Sequence, residues 1–142
     1  MSQKCSAFFL PFILITIIIS GCSSNHKSNQ TIDLEYFKKT AKIGMTEVEM
    51  QEAFGQEPIS DHVDNSNVWL YDRTKPEYKY KPDLNKVEHD AIKKGDIEYQ
   101  LFIILKEKQA IMFSYFYSGE NNEVWQYVLN PDGTILNNQV SN

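Results

Sequence analysis

The chain has 142 residues, with 14 Lys and Arg against 19 Asp and Glu, a formal net charge of −5 and a sequence pI near 5.2. That length suits one small domain with a modest core and not two. The acidic balance, with no basic stripe, excludes nucleic-acid binding as a primary role, and two cysteines exclude a disulfide framework.

Lys4 gives the first residues a positive charge, and residues 7–19 are apolar apart from Pro11 and Thr16. Thirteen residues of helix would rise about 20 Å, short of the ~30 Å hydrocarbon core of a bilayer. A charged start, an apolar middle and a small-residue end make the pattern of a cleavable export signal over residues 1–21. The end reads Ile19-Ser20-Gly21-Cys22 and resembles a bacterial lipobox. The resemblance implies a diacylglyceryl group on the Cys22 thiol, cleavage between Gly21 and Cys22, and acylation of the new amino terminus, commonly with palmitate. Ser23, standing where Asp commonly marks inner-membrane retention, implies the periplasmic face of the outer membrane. A Gram-positive cell-surface lipoprotein is the alternative. Two or three acyl chains, at about 0.8 kcal/mol per buried methylene, hold a protein to a bilayer and leave its polypeptide in water.

Processing would remove Lys4 and Cys5, leaving a formal charge of −6 over 121 residues. With Cys22 taken up as a thioether, no thiol remains for a disulfide, a redox pair or a nucleophile. No cofactor is expected beyond the covalent lipid. After Cys22, residues 23–30 read Ser-Ser-Asn-His-Lys-Ser-Asn-Gln, a polar tether spanning roughly 15 Å on average. The folded domain is expected over residues 31–136, with residues 137–142 as a frayed tail.

Within that domain, apolar residues at 34, 37 and 41 have helical spacing, with Thr31 and Asp33 as alternative caps. A second helix is expected over residues 46–54. Thr46 and Glu49 form a capping-box pair, Met45 and Met50 stand at the staple positions, and Glu47 and Glu49 complement the helix dipole. Gly55 suits a left-handed helix end, and Pro58 forbids resumption. Strands are expected at residues 67–71, 97–105, 109–117 and 124–129, from their aromatic and β-branched content. Residues 106–108 form a polar turn, and Asn130-Pro131-Asp132-Gly133 is a strong turn sequence. Residues 74–96 read as a long polar loop with one helical turn near 84–92. Two helices followed by strands predict an α+β fold, with both helices on one face of a three- to four-stranded antiparallel sheet.

The run Ile43-Gly44-Met45-Thr46, continuing to Phe54-Gly55-Gln56-Glu57-Pro58, resembles the signature of the BamE/SmpA/OmlA lipoprotein domain. An aromatic strand of Trp-x-Tyr pattern follows in that family, matched here by Asn67-Val68-Trp69-Leu70-Tyr71. The resemblance covers roughly residues 32–117. Loop 74–96 and the strand at 124–129 depart from the family pattern. It implies a scaffold role in outer-membrane protein assembly or envelope integrity, through contact with assembly subunits and anionic lipid. A periplasmic inhibitor or ligand-binding module on the same scaffold is the alternative, because fold does not fix function.

Motifs for catalysis are missing. His26, His62 and His89 lie in polar segments; Asp61-His62-x-Asp64 reads as solvated loop neighbours rather than a metal site. Glu47, Glu49 and Glu52 read as a helix surface. There is no Gly-rich phosphate loop, no His-Glu-x-x-His and no Gly-x-Ser-x-Gly. A non-enzymatic binding module is expected. Its candidate partner surface comes from the strand aromatics Trp69, Tyr71, Phe113, Tyr115, Phe116, Tyr117, Trp125 and Tyr127. Most of these should be core. Tyr115, Tyr117, Trp125 and Tyr127, each with a polar tip suited to partial exposure, are the candidate hot spot for a protein partner on an open sheet face.

Overall fold

A computed structural model describes residues 31–63 and 66–141. Helix α1 (Leu34–Thr40) and helix α2 (Glu47–Phe54) precede strands β1 (Ile59–Val63) and β2 (Ser66–Thr74). Then come helix α3 (His89–Lys93) and strands β3 (Ile97–Lys106), β4 (Gln109–Ser118), β5 (Val124–Leu129) and β6 (Ile135–Ser141). The strands form one antiparallel sheet in the order β1-β2-β3-β4-β5-β6, each pairing with the next in the chain.

This overturns the expected α+β fold with a three- to four-stranded sheet. The described residues are dominated by a six-stranded meander, and the three helices among them have only seven, eight and five residues. The error lay at the edges. Four residues of β1 and the first three of β6 are exposed, so neither edge strand shows the apolar alternation that marks a half-buried strand. Residues 137–141 are thus not a frayed tail, because β6 pairs with β5 from Leu129↔Ile135 to Val124↔Ser141.

Local chemistry sets the boundaries. Asp33 caps α1 by accepting from the Tyr36 N–H at 2.7 Å, which settles the choice between Thr31 and Asp33. Thr46 and Glu49 form the capping box of α2. Gly55 ends that helix at φ +127°, ψ 155°, an extended conformation of positive φ and not the expected left-handed helical one. This region is also nearly closed to residues with a Cβ, so glycine is needed there. Between β3 and β4, Glu107 and Lys108 both take positive φ (51° and 64°), the backbone of a two-residue type I′ turn. At the β5–β6 turn the Gly133 N–H donates to the Asn130 carbonyl, and Asp132 accepts from both the Thr134 N–H and its hydroxyl.

Two cores lie on opposite sides of the sheet. On one, α1 and α2 supply Phe37, Met50 and Phe54, which pack against Tyr71, Leu101, Ile103, Phe113 and Tyr115. The α1–α2 connection is bound to the sheet where Gly44 N–H meets the Ala110 carbonyl (2.7 Å) and Ala110 N–H meets the Met45 carbonyl (2.8 Å). Three tyrosine hydroxyls tie the helical layer together, one between the helices and two from the sheet. Tyr36 donates to the Ala53 carbonyl, Tyr71 to the Gly55 carbonyl and Tyr115 to the Ile32 carbonyl.

On the other side, Ala91 and Ile92 of α3 join Val68, Leu70, Ile97, Phe102, Phe116 and Val124, with Tyr78, Tyr80, Leu84 and Val87 packed alongside. Segment 74–96 is therefore a cover over the second sheet face. A buried polar network fixes it: Tyr80 donates to Asp72, fully buried Gln100 donates to Tyr80, and the Gln100 carbonyl accepts from the Glu88 N–H. Burial, then the Asp72 carboxylate, push the Tyr80 hydroxyl up from its usual pKa.

Candidate functional site

Cross-strand register places all four candidate aromatics on the helix side. Tyr115 pairs with Tyr127, and Tyr117 with Trp125. The expected open sheet face does not exist as such, because each face carries a cover. The accessible area on the helix side lies beside the β4–β5 loop, where Tyr117 and Trp125 are only half-buried.

Tyr115 is not part of that surface, and its assignment as a partner-binding residue is corrected. It is 3 % exposed, stacks on Phe37 (5.0 Å) and Tyr99 (5.4 Å), and is tied to the Ile32 carbonyl at 2.8 Å. A hydroxyl can serve burial when a backbone acceptor waits for it, and this one holds the approach to α1. Tyr127 lies between core and surface. Phe37 meets its ring edge-on, and the Lys38 ammonium lies 5.6 Å from its centroid while bonded to Glu35 at 2.9 Å.

Tyr117 and Trp125 are half-buried and remain accessible. Trp125 belongs to neither core cluster. Together with Asn137 they line a groove of about 380 Å³ whose remaining lining, Gly119, Glu120, Asn121 and Glu123, comes from the β4–β5 loop. The Tyr117 hydroxyl donates to Asn137 Oδ1 at 3.4 Å. Glu123 organises the loop: Oε1 accepts from the Trp125 indole N–H (3.0 Å), and Oε2 accepts from the Asn121 N–H (2.8 Å). The indole N–H, followed by the neighbouring backbone amides, holds the Glu123 carboxyl below the usual carboxylate range.

Gly119 makes this arrangement possible. A Cβ at that position would lie 2.7 Å from Glu123 Oε1 and from Trp125 Cδ1 and Nε1. The indole and the carboxylate therefore rest against the glycine backbone, which fixes their orientation. The reading of the residues missed Gly119, Glu120 and Glu123. The signal was the five-residue hairpin loop ending two positions before a tryptophan, where a carboxylate can reach the indole N–H.

A smaller pocket of about 160 Å³ lies on the opposite side, lined by residues 84–87 with Phe102, Ser114 and Phe116. Among the described residues, no group of three or more His, Cys, Asp or Glu is placed to hold a metal ion. His62 sits on edge strand β1 with its Nδ1 2.8 Å from Asn67 Oδ1. Cys22, the export segment and the tether lie outside the described residues. Compared with protein-family models, curated proteins and solved structures, the chain matches none.

Proposed function

We propose that this chain is a lipid-anchored, non-enzymatic binding module that engages a protein partner on its helix-side sheet face, beside the β4–β5 loop. The observation that carries the reading is the groove over Tyr117 and Trp125. Two large aromatic side chains are held half-buried there: Trp125, oriented by Glu123 and Gly119, belongs to neither core cluster, and Tyr117 packs beside it at the margin of the helix-side core. Aromatic side chains in a concave, partly desolvated setting are the common make-up of a binding hot spot.

The lipobox resemblance at Ile19-Ser20-Gly21-Cys22 supports an anchor through lipid on Cys22. With Ser23 after it, it favours the periplasmic face of the outer membrane. The resemblance of residues 43–58 and 67–71 to the BamE/SmpA/OmlA signature supports outer-membrane assembly subunits as the partner. The groove's concavity favours a second reading, in which the same surface captures a soluble periplasmic enzyme or a small ligand.

The test is in-cell crosslinking of the full, tagged chain, followed by mass spectrometry. Recovery of assembly subunits, lost in Cys22→Ser and in Trp125→Ala, supports the anchored adaptor. Recovery of one soluble enzyme, insensitive to Cys22→Ser, selects the second reading. Capture that is unaffected by Trp125→Ala rejects this groove as the contact.

A further inference from the structure

The helix side carries the same chemical grouping twice, and only one copy is complete. At Tyr127 an aromatic ring, a carboxylate (Glu35) and an ammonium (Lys38) come together: the cation lies 5.6 Å from the ring centroid and 2.9 Å from the carboxylate. Two residues back along β5, Trp125 and its β4 neighbour Tyr117 supply two rings, and Glu120 and Glu123 supply two carboxylates. No Lys, Arg or His lines this groove, and neither glutamate makes an ion pair among the described residues.

Charge and ring electronics agree on what would complete it. Cations are attracted to the negative faces of Trp and Tyr rings. The indole N–H donates to a carboxylate, which leaves the ring more electron-rich than a free indole. Both Glu123 oxygens already accept hydrogen bonds within the loop, so its contribution is fixed negative charge. Glu120, exposed at the rim, remains able to accept from a guest. A neutral polar guest, such as a sugar, would leave two carboxylate charges uncompensated.

Resting on the binding reading above, we infer that the groove seats a basic side chain of the protein partner, guanidinium in preference to ammonium. A planar guanidinium can stack on the indole while its N–H fork meets the Glu120 carboxylate, whereas an ammonium offers only a point charge. Gly119 is then a positioning residue, because its missing side chain lets the indole lie where the guest arrives.

The chain has two tryptophans, so the test has an internal control. The full chain, ¹⁵N-labelled and held in a nonionic detergent, is titrated with a capped Ala-Arg-Ala peptide while the indole N–H resonances are followed. The Trp125 resonance should move saturably at millimolar peptide, and that of buried Trp69 should stay fixed. Ala-Lys-Ala should bind more weakly, and the neutral isostere Ala-citrulline-Ala should leave Trp125 unmoved. Glu120→Gln should weaken binding about two- to fivefold, the scale of one exposed ion-pair contact. Gly119→Ala should weaken it with Trp69 unchanged. Equal movement with citrulline, or no movement with arginine, overturns the inference. If arginine fails while an in-cell crosslink through the groove still captures the partner, the binding reading survives and the cation preference falls. If arginine binds but nothing is captured in cells, the partner reading falls.

Discussion

Removing one oxygen from Tyr115 tests the division of the aromatics into core and surface. Tyr115→Phe keeps the stacks on Phe37 and Tyr99 and deletes the hydroxyl that donates to the Ile32 carbonyl at 2.8 Å. Ile32 is 5 % exposed, so its carbonyl has little access to replacement water. A lost buried hydrogen bond with an acceptor left unsatisfied costs about 1–3 kcal/mol. At about 1.5 kcal/mol, a domain of this size should lose on the order of 5–10 °C in Tm. Tyr115→Ala should cost about 3–5 kcal/mol, because both stacks go as well. Trp125→Ala, outside both core clusters, should cost under about 1 kcal/mol. Urea unfolding followed by circular dichroism, with a common m value, measures all three. If Tyr115→Phe is neutral and Trp125→Ala costs more than about 3 kcal/mol, core and surface have been exchanged and the reasoning is wrong.

Burial pushes the hydroxyl of Tyr99 up to about 12 and also raises those of Tyr71 and Tyr115. Each folded-state value lies above the unfolded one near 10, so the unfolded chain releases these protons first. The stability from their neutral forms is complete below about pH 10 and is lost as pH rises toward 12; a urea midpoint that stays flat from pH 9 to 11.5 would contradict this. Replacing Glu107 and Lys108 by Asn and Gly should stabilise the protein by about 1 kcal/mol, because both residues hold positive φ in the β3–β4 turn; an unchanged or lower urea midpoint counts against a type I′ turn. Thr46→Ala should cost about 1 kcal/mol through loss of the α2 cap. It should also weaken acid sensitivity, since the Thr46 backbone and then side-chain bonds hold Glu49 below its usual pKa. That contribution is present above the unfolded carboxylate value and is lost as pH falls through the folded one, so stability profiles from pH 7 to 3 for both forms check it.

What the amino-acid sequence disclosed was what is local. The capping box of Thr46 and Glu49 involves residues three apart, and the β5–β6 turn is written in four consecutive residues, so both were legible before any tertiary contact was known. The four central and inner strands were legible because burial on the sheet selects aromatic and β-branched residues there. Edge strands β1 and β6 escaped notice because Ile59–Val63 and Ile135–Ser141 are mostly exposed, and their pairing is made by backbone groups that leave no mark on side-chain pattern. The covering role of residues 74–96 was hidden for a related reason. Tyr78, Tyr80, Leu84 and Val87 reach the second core from irregular backbone, with neither a period of 2 nor of 3.6. At the site, residue type alone could not separate Tyr115 from Tyr117. They lie two apart on one strand and one face, and the position of Phe37 makes one core and leaves the other at the surface.

The most direct test of the account places a photo-crosslinking amino acid at Asn121, on the rim of the groove, in the full chain expressed in cells. The same probe at Val48, exposed on the outer side of α2, serves as the control. One discrete protein adduct is expected from position 121, absent from position 48 and abolished by Trp125→Ala. Equal adducts from both positions, or an adduct from 121 that persists without the indole, would contradict the claim that this groove is where the protein works.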